Sequence, residues 1–495
     1  MRQFLILILF AFSCATYAQE DDSFDSFRKN VLQGMSSYRD SIRTEYQNFR
    51  RKINADYANF LRGVWKDEKS LPTPPPIEEP LPTPPVVISE EDKQKPIKDK
   101  PVVIEEEVPP TPTPAPQPQP VVPIEETPVP PIYHEFDYYG AKLKVRLSPS
   151  QKFRLSSTQP RTIGNAWDRL SENDYSNLIY DCLDIRKKRN LCDWAYLQMI
   201  GNLSECYFGG RCNEATLLTA YIFCQSGYRI RLGEANGQLY LLVGTPHQIF
   251  NHGYYTIDGL NYFVFNANPD QLNVCDAEFM GEQMLSFYIP QLPVLPTVLS
   301  EKRTLRSERY SDMVVTSQIN KNLLEFYNKY PTSVVGDNFC TRWAMYAETP
   351  LCTPAETNVV NVLREKVKGC DESLALNKLL NFVQTAFVYE YDDKVWGGDR
   401  AFFGDETLYY PYCDCEDRSI FFSKLVREIL GLKVLLVFYP GHLATAVKTN
   451  TNIAGDYIML NGMRFLVCDP TYIGAPIGKT MPDMDNKSAK VILLK

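Results

Sequence analysis

The chain has 495 residues, 44% of them apolar and 23% charged, and a formal net charge of −8. That length exceeds one small domain and favours two or three. The acidic balance argues against a nucleic-acid binder, which would show a basic face.

Residues 1–18 read as a secretory signal, with Arg2 as the positive end, an apolar core over 4–12, and Thr16-Tyr17-Ala18 ahead of Gln19. The core is far short of the roughly 20 residues that span a bilayer. No later stretch is long and apolar enough either, so the mature chain is expected to be exported, periplasmic or at the cell surface, without a transmembrane span. A lipoprotein anchored through Cys14 is the second reading. Twelve of the 13 cysteines remain after the signal, in a compartment where disulfides persist. Cys182 with Cys192, and Cys340 with Cys352, are close enough in sequence to bridge. The absence of Cys-x-x-Cys and the presence of only four His give no zinc-site pattern, and the sequence calls for no cofactor.

Residues 19–67 read as one long amphipathic helix. Phe27, Val31, Met35, Tyr38, Ile42, Tyr46, Phe49, Ile53, Tyr57 and Phe60 follow at spacings of four, four and three, an 11-residue repeat that suits a nearly straight helix. Two readings stand side by side. The 20–66 stretch binds a cell-envelope partner or itself, or it docks on the chain's own globular part. Its Lys and Arg permit contact with an anionic surface, without the strong basic bias of a membrane binder.

Residues 68–131 read as a disordered Pro-rich linker. The stretch 71–131 holds 21 of the 36 prolines and repeats Leu-Pro-Thr-Pro-Pro at 71 and 81. Such a segment favours polyproline II and reaches roughly 190 Å when fully stretched. It is expected to hold the globular part away from the helix or an envelope surface.

Folded sequence resumes near Tyr133, with strands over 133–147 turning at Tyr139-Gly140, then helices over 166–188 and 191–200. After the connector at 292–296, residues 300–327 are polar and partly helical. Helices follow over 360–367 and 374–387, and 480–495 supplies a closing strand.

The stretch 414–472 carries the chemistry. Asp414 is a candidate N-cap, and Asp417 three residues on gives a capping-box spacing. Ile420, Phe421, Leu425, Ile429 and Leu432 recur at helical spacing, and Gly431 is a natural terminator. Cys415 then lies in the first turn, where unpaired N–H groups and the helix dipole favour a thiolate. A buried strand is expected over 433–438. Pro440-Gly441 turns into a strand beginning at His442, and Asn461-Gly462 closes a hairpin into 463–468 ahead of Asp469. Thiol, imidazole and carboxylate in this order supply a nucleophile, its base and the group that orients the base.

The first half echoes this pattern. Residues 211–215, 224–230, 237–245 and 258–266 run parallel to 414–418, 430–434, 441–449 and 461–469. The offset is 203 residues for the outer blocks and 204 for the inner ones, which reads as a duplicated domain. The corresponding positions are Cys212, Gln238 and Asn266. Gln does not shuttle a proton near neutral pH and Asn carries no charge, so this copy reads as degenerate.

With these motifs, and with 376–392, Trp396 and 405–408 leading into the Cys, the chain resembles the transglutaminase-like superfamily, a papain-like cysteine hydrolase fold. The resemblance covers about 370–472. It implies an α+β chain with two such domains, 132–290 (degenerate) and 291–495 (catalytic). In each, a helix bearing the Cys packs on an antiparallel sheet. It also implies catalysis by Cys415, His442 and Asp469 through a thioester, with the Cys415 N–H and a second donor from 409–412 at the oxyanion. The expected activity is an exported bacterial peptidase or amidase acting on a protein or peptide substrate. The alternatives are a non-catalytic envelope scaffold and a cross-linking transglutaminase. Two departures stand out: Leu-Ala follows His442 where animal transglutaminases carry a Trp nearby, and Cys413 precedes the nucleophile.

Overall fold

Short turns with left-handed residues set the register of most strands that matter. The pairs Asn236-Gly237, Asp258-Gly259 and Asn461-Gly462 all have positive φ, the backbone of a two-residue hairpin turn. They close Ile230–Ala235 on Gln238–Gly244, Tyr254–Ile257 on Leu260–Phe263, and Asp456–Leu460 on Met463–Cys468. Pro440 and Gly441 make a fourth turn that sets Tyr439 opposite His442, joining Val434–Tyr439 to His442–Val447. The computed structural model describes residues 22–72, 83–108, 115–124, 126, 131–172, 175–336 and 338–495. The signal expected over 1–18, with Cys14, lies outside the described residues. Helices and strands are mixed throughout, so the fold is α+β. No described helix is long and apolar enough to cross a membrane.

Two sheets organise the chain. The first has the order Lys66–Lys69, Gln271–Cys275, Ile230–Ala235, Gln238–Gly244, Leu260–Phe263, Tyr254–Ile257. The second has the order Lys100–Pro101, Asp456–Leu460, Met463–Cys468, His442–Val447, Val434–Tyr439, Lys490–Leu493, Glu106–Val108. Once the strands drawn from residues 66–108 are set aside, the same order of five strands remains in both. Each set follows a helix, Asn213–Gln225 in the first half and Cys415–Leu425 in the second.

The second sheet is buried on both faces, as its near-continuous apolar strands require. Val434, Leu436, Leu443 and Val447 belong to the main core, which runs through both halves. Leu435, Val437, Ala444 and Ala446 alternate with them and face a second cluster that includes Val102. Part of the cover therefore comes from the Pro-rich segment, through Val102 and Ile104. A free spacer was the expectation over 68–131, and the described part of that segment does something else. Lys66–Lys69 pairs at an edge of the first sheet, while Lys100–Pro101 and Glu106–Val108 pair at the two edges of the second. The apolar runs Val86-Val87-Ile88 and Val102-Val103-Ile104 interrupt the prolines and keep their N–H groups. Val86 and Val87 pair with Tyr472 and Ile473, and Val102 packs on the second sheet, while the strands on either side of residues 102–104 close that sheet's edges.

The long helix spans Asp22–Leu61 and divides in two. Tyr57, Ala58 and Leu61 are buried, and Tyr57 lies 4.8 Å from the Trp167 ring. Gly164 lets the helix Pro160–Glu172 approach, because a Cβ there would meet Ala58 O at 2.7 Å. Asn54 ties its helix to two others, accepting from Trp167 Nε1 at 3.0 Å and donating to Gln225 Oε1, at the end of Asn213–Gln225, at 3.1 Å. The same stripe is exposed earlier, at Val31, Met35, Tyr38, Tyr46 and Phe49. Docking on the chain itself thus accounts for the last turns only.

No disulfide joins Cys182 to Cys192 or Cys340 to Cys352. Cys182 is buried within the helix Ser176–Lys188, and Cys192 caps the next helix. The polar stretch after 300 forms a hairpin, Arg303–Arg306 on Val314–Ser317, before the helix Lys321–Asn328.

Candidate active site

The helix Cys415–Leu425 is anchored at its start by its own acids. Asp414 accepts from the N–H groups of Glu416 and Asp417 at 3.0 and 3.3 Å, and Asp417 accepts from Asp414 N–H at 3.2 Å. This is the reciprocal capping box that the spacing predicts. It leaves Cys415 as the first helical residue, where the N–H has no intrahelical acceptor. Arg418, one turn on, donates to Gln384 O and Phe387 O at 3.1 and 2.9 Å, tying this helix to the end of Glu372–Ala386. Ser419 Oγ donates to Leu443 O at 2.6 Å and pins the helix to the strand that His442 begins.

His442 is buried, and its Nε2 lies 2.9 Å from Asp469 Oδ2. Asp469 Oδ1 accepts from Thr471 N–H and Tyr472 N–H at 2.8 and 3.2 Å, so both carboxylate oxygens are fixed. With Nε2 engaged, Nδ1 is the nitrogen left to take a proton, and it has no hydrogen-bond partner among the described residues. Cys415 sits against the start of the same strand: the Leu443 N–H points at its sulfur, and the Asp469 charge reaches it. The structure thus pairs His442 with Asp469 and sets Cys415 against the start of the strand that His442 begins, the three being 5, 2 and 3% exposed in the order Cys415, His442, Asp469.

Burial dominates the electrostatics. It pushes the Cys415 thiol well above its ordinary range, and the Asp414 and Glu416 charges push it further, while the Leu443 amide opposes them. In this closed state the sulfur is protonated at neutral pH. Burial first, and the Glu416 charge second, raise Asp392 to about 8. Asp414 and Asp417 are raised as well, by burial and then by neighbouring carboxylates. Glu416 is held differently, by Arg342 Nη2 at 3.1 Å and Trp343 Nε1 at 2.6 Å. Asp392, Asp399 and Glu416 bring oxygens close enough to ligate a cation, as do Asp414, Glu416 and Asp417. In the first set Arg342 already bridges Asp399 and Glu416. In the second, the oxygens of Asp414 and Asp417 already accept backbone N–H groups.

In the first half, Cys212 is the N-cap of Asn213–Gln225, and its sulfur accepts from Ala215 N–H at 3.4 Å. Asn213 clasps the hairpin by donating to Gly237 O at 2.9 Å and accepting from Leu239 N–H at 2.8 Å. Gln238 and Asn266 are exposed. His247 is a packing residue. Burial lowers its pKa to about 4, and Phe287 N–H and Ser333 Oγ lie 3.4 Å from its two nitrogens.

Sequence reasoning missed the residues that hold this site. Gln384 Nε2 donates to the carbonyls of Asp469, Tyr472 and Ala475 at 3.1, 2.7 and 3.1 Å. Its Oε1 accepts from Gly474 N–H at 3.1 Å. Tyr389 lies beside Cys415, whose charge joins burial in raising its pKa. A polar residue at a core position of the helix Glu372–Ala386 is the one sequence signal for Gln384. Arg342 had none, since its partner Glu416 lies 74 residues away.

No protein-family model matches the chain, and no curated protein or solved structure does so either.

Proposed function

We propose that the chain is an exported cysteine-dependent amide hydrolase of the peptidase or amidase type. The observation that carries this reading is the buried His442–Asp469 pair, which leaves Nδ1 as the base beside a helix that begins with Cys415. In the proposed reaction Nδ1 takes the thiol proton, and the thiolate attacks an amide carbonyl. Asp469 holds and stabilises the imidazolium, and the Cys415 N–H donates to the oxyanion. The imidazolium then protonates the leaving amine, and water releases the acid from the thioester.

The arrangement supports the finer fold reading too. A helix bearing the Cys packs on an antiparallel sheet, with His442 opening one strand and Asp469 just past the end of its neighbour. The first half repeats the strand order around Cys212, Gln238 and Asn266. That suits two papain- or transglutaminase-like domains, 132–290 and 291–495, the first of them without base or orienter.

Incubating the protein with a peptide library, followed by mass spectrometry, tests the hydrolase. Cleaved amides that vanish in Cys415→Ala support it, and cleavage that survives Cys415→Ala refutes it. A labelled primary amine added to the same reaction separates hydrolysis from cross-linking. One observation favours the non-catalytic scaffold: Cys415 is enclosed and its thiol is protonated. Under that reading Cys415 never reacts faster than an ordinary thiol.

A further inference from the structure

A short piece of the Pro-rich segment is fixed to the residues that flank Cys415, His442 and Asp469. Residues 83–88 cross the site between its His and Asp loops. Thr83 N–H donates to Gly441 O at 2.7 Å, one residue before His442. Thr83 O accepts from Tyr389 Oη at 3.4 Å, and Tyr389 is the ring beside Cys415. Val86 and Val87 then pair in parallel with Tyr472 and Ile473, three and four residues after Asp469. Ile88 N–H donates to Ile473 O at 3.0 Å, and the Ile88 side chain packs on Tyr472, Ala475 and Met481. Pro84 and Pro85 lie between these anchors and bring no N–H groups that would need acceptors.

The geometry points to a track for an extended peptide, running from Gly441 to Ile473 and occupied in this chain by its own residues 83–88 as an autoinhibitory strap. This rests on the reading of Cys415 as the nucleophile. The recognition is main chain on main chain, the addition of a strand to an open edge, with one buried apolar side chain for specificity. It names the substrate class as an extended peptide with an aliphatic residue at the Ile88 position. Competing with the strap is a local event, because the segment is fixed by a few hydrogen bonds and the packed side chains of Val86 and Ile88 rather than by the main core.

Two variants test the strap: Ile88→Asp, and replacement of residues 83–88 by alternating Gly and Ser. The readout is the rate of iodoacetamide alkylation at Cys415, mapped by mass spectrometry. Alkylation of the buried Cys413 and Cys468 reports any general loosening. The strap predicts a rise of about tenfold or more at Cys415 alone in both variants. An unchanged rate in both overturns it, as does an equal rise at all three cysteines. A peptide of sequence Thr-Pro-Pro-Val-Val-Ile, added at about millimolar concentration, should slow alkylation of the opened protein about twofold or more. No protection would overturn the peptide track. Adding His442→Ala to the opened protein separates the two claims. If Cys415 opens but titrates as an ordinary thiol with and without His442, the strap stands and the catalytic reading falls.

Discussion

His442 Nε2 lies 2.9 Å from Asp469 Oδ2, and that one contact decides which imidazole nitrogen is free for chemistry. Asp469→Asn keeps the size of the side chain and removes its charge, so the imidazolium loses its stabilising partner. Peptide turnover should fall by about two to four orders of magnitude, with little change in the substrate concentration needed for half-maximal rate. Initial-rate measurements on the purified variant check this.

Gln384 is a positioning residue that acts through the Asp469 loop. Gln384→Leu removes the donor for the carbonyls of Asp469, Tyr472 and Ala475 without changing the packing volume much. Leaving these buried acceptors unpaired should cost about 2–3 kcal/mol in urea unfolding. Turnover should fall as well, and Gln384→Glu should restore neither, because a carboxylate brings no N–H to these carbonyls.

Arg342 is buried and bridges Asp399 and Glu416. Arg342→Met strands the Glu416 charge inside the protein, one residue from the nucleophile. A loss of about 3–5 kcal/mol is expected by chemical denaturation. The double change Arg342→Met with Glu416→Gln should recover part of it.

Asp392 makes stability depend on pH. Its pKa is about 8 in the fold against 3.8 unfolded, so between those values the folded chain binds the proton more tightly. Its contribution is fully present below about pH 4 and is lost as pH rises through about 8. The melting temperature should therefore fall across that window, and Asp392→Asn should flatten the fall.

Cys212→Ala should leave alkylation and turnover at Cys415 unchanged. Its cost is one weak cap contact, about 1 kcal/mol or less. Equal loss of activity in Cys212→Ala and Cys415→Ala would mean that the first half takes part in the chemistry.

Much of the second half was legible because its signals are local. Asp414 and Asp417 mark the helix start, Gly431 its end, and Asn461-Gly462 the hairpin, and each of these is a matter of backbone conformation within a few residues. The nearly constant offset between the two halves was equally visible, and the two sheets share their strand order. Composition alone predicts a free chain over the Pro-rich segment, and its described parts pair instead. Short apolar triplets such as Val86-Val87-Ile88 find partners almost 400 residues further on, which no local pattern reveals. Gln384 and Arg342 escaped notice for the same reason, since their hydrogen bonds cross the fold. The partly helical reading of 300–327 holds for the helix Lys321–Asn328, while the hairpin ahead of it gives no alternation to read because its strands are short and half-exposed.

The central claim is that His442 activates Cys415, and the pH profile of Cys415 alkylation tests it most directly. Because the covered thiol is protonated at neutral pH, the profile is read on the opened protein, Ile88→Asp. The account predicts a rate that is already at its plateau near about pH 7 in that protein. With His442→Ala added, the midpoint should move up to the ordinary thiol value of about 8.5. The same high midpoint in both proteins would contradict the account.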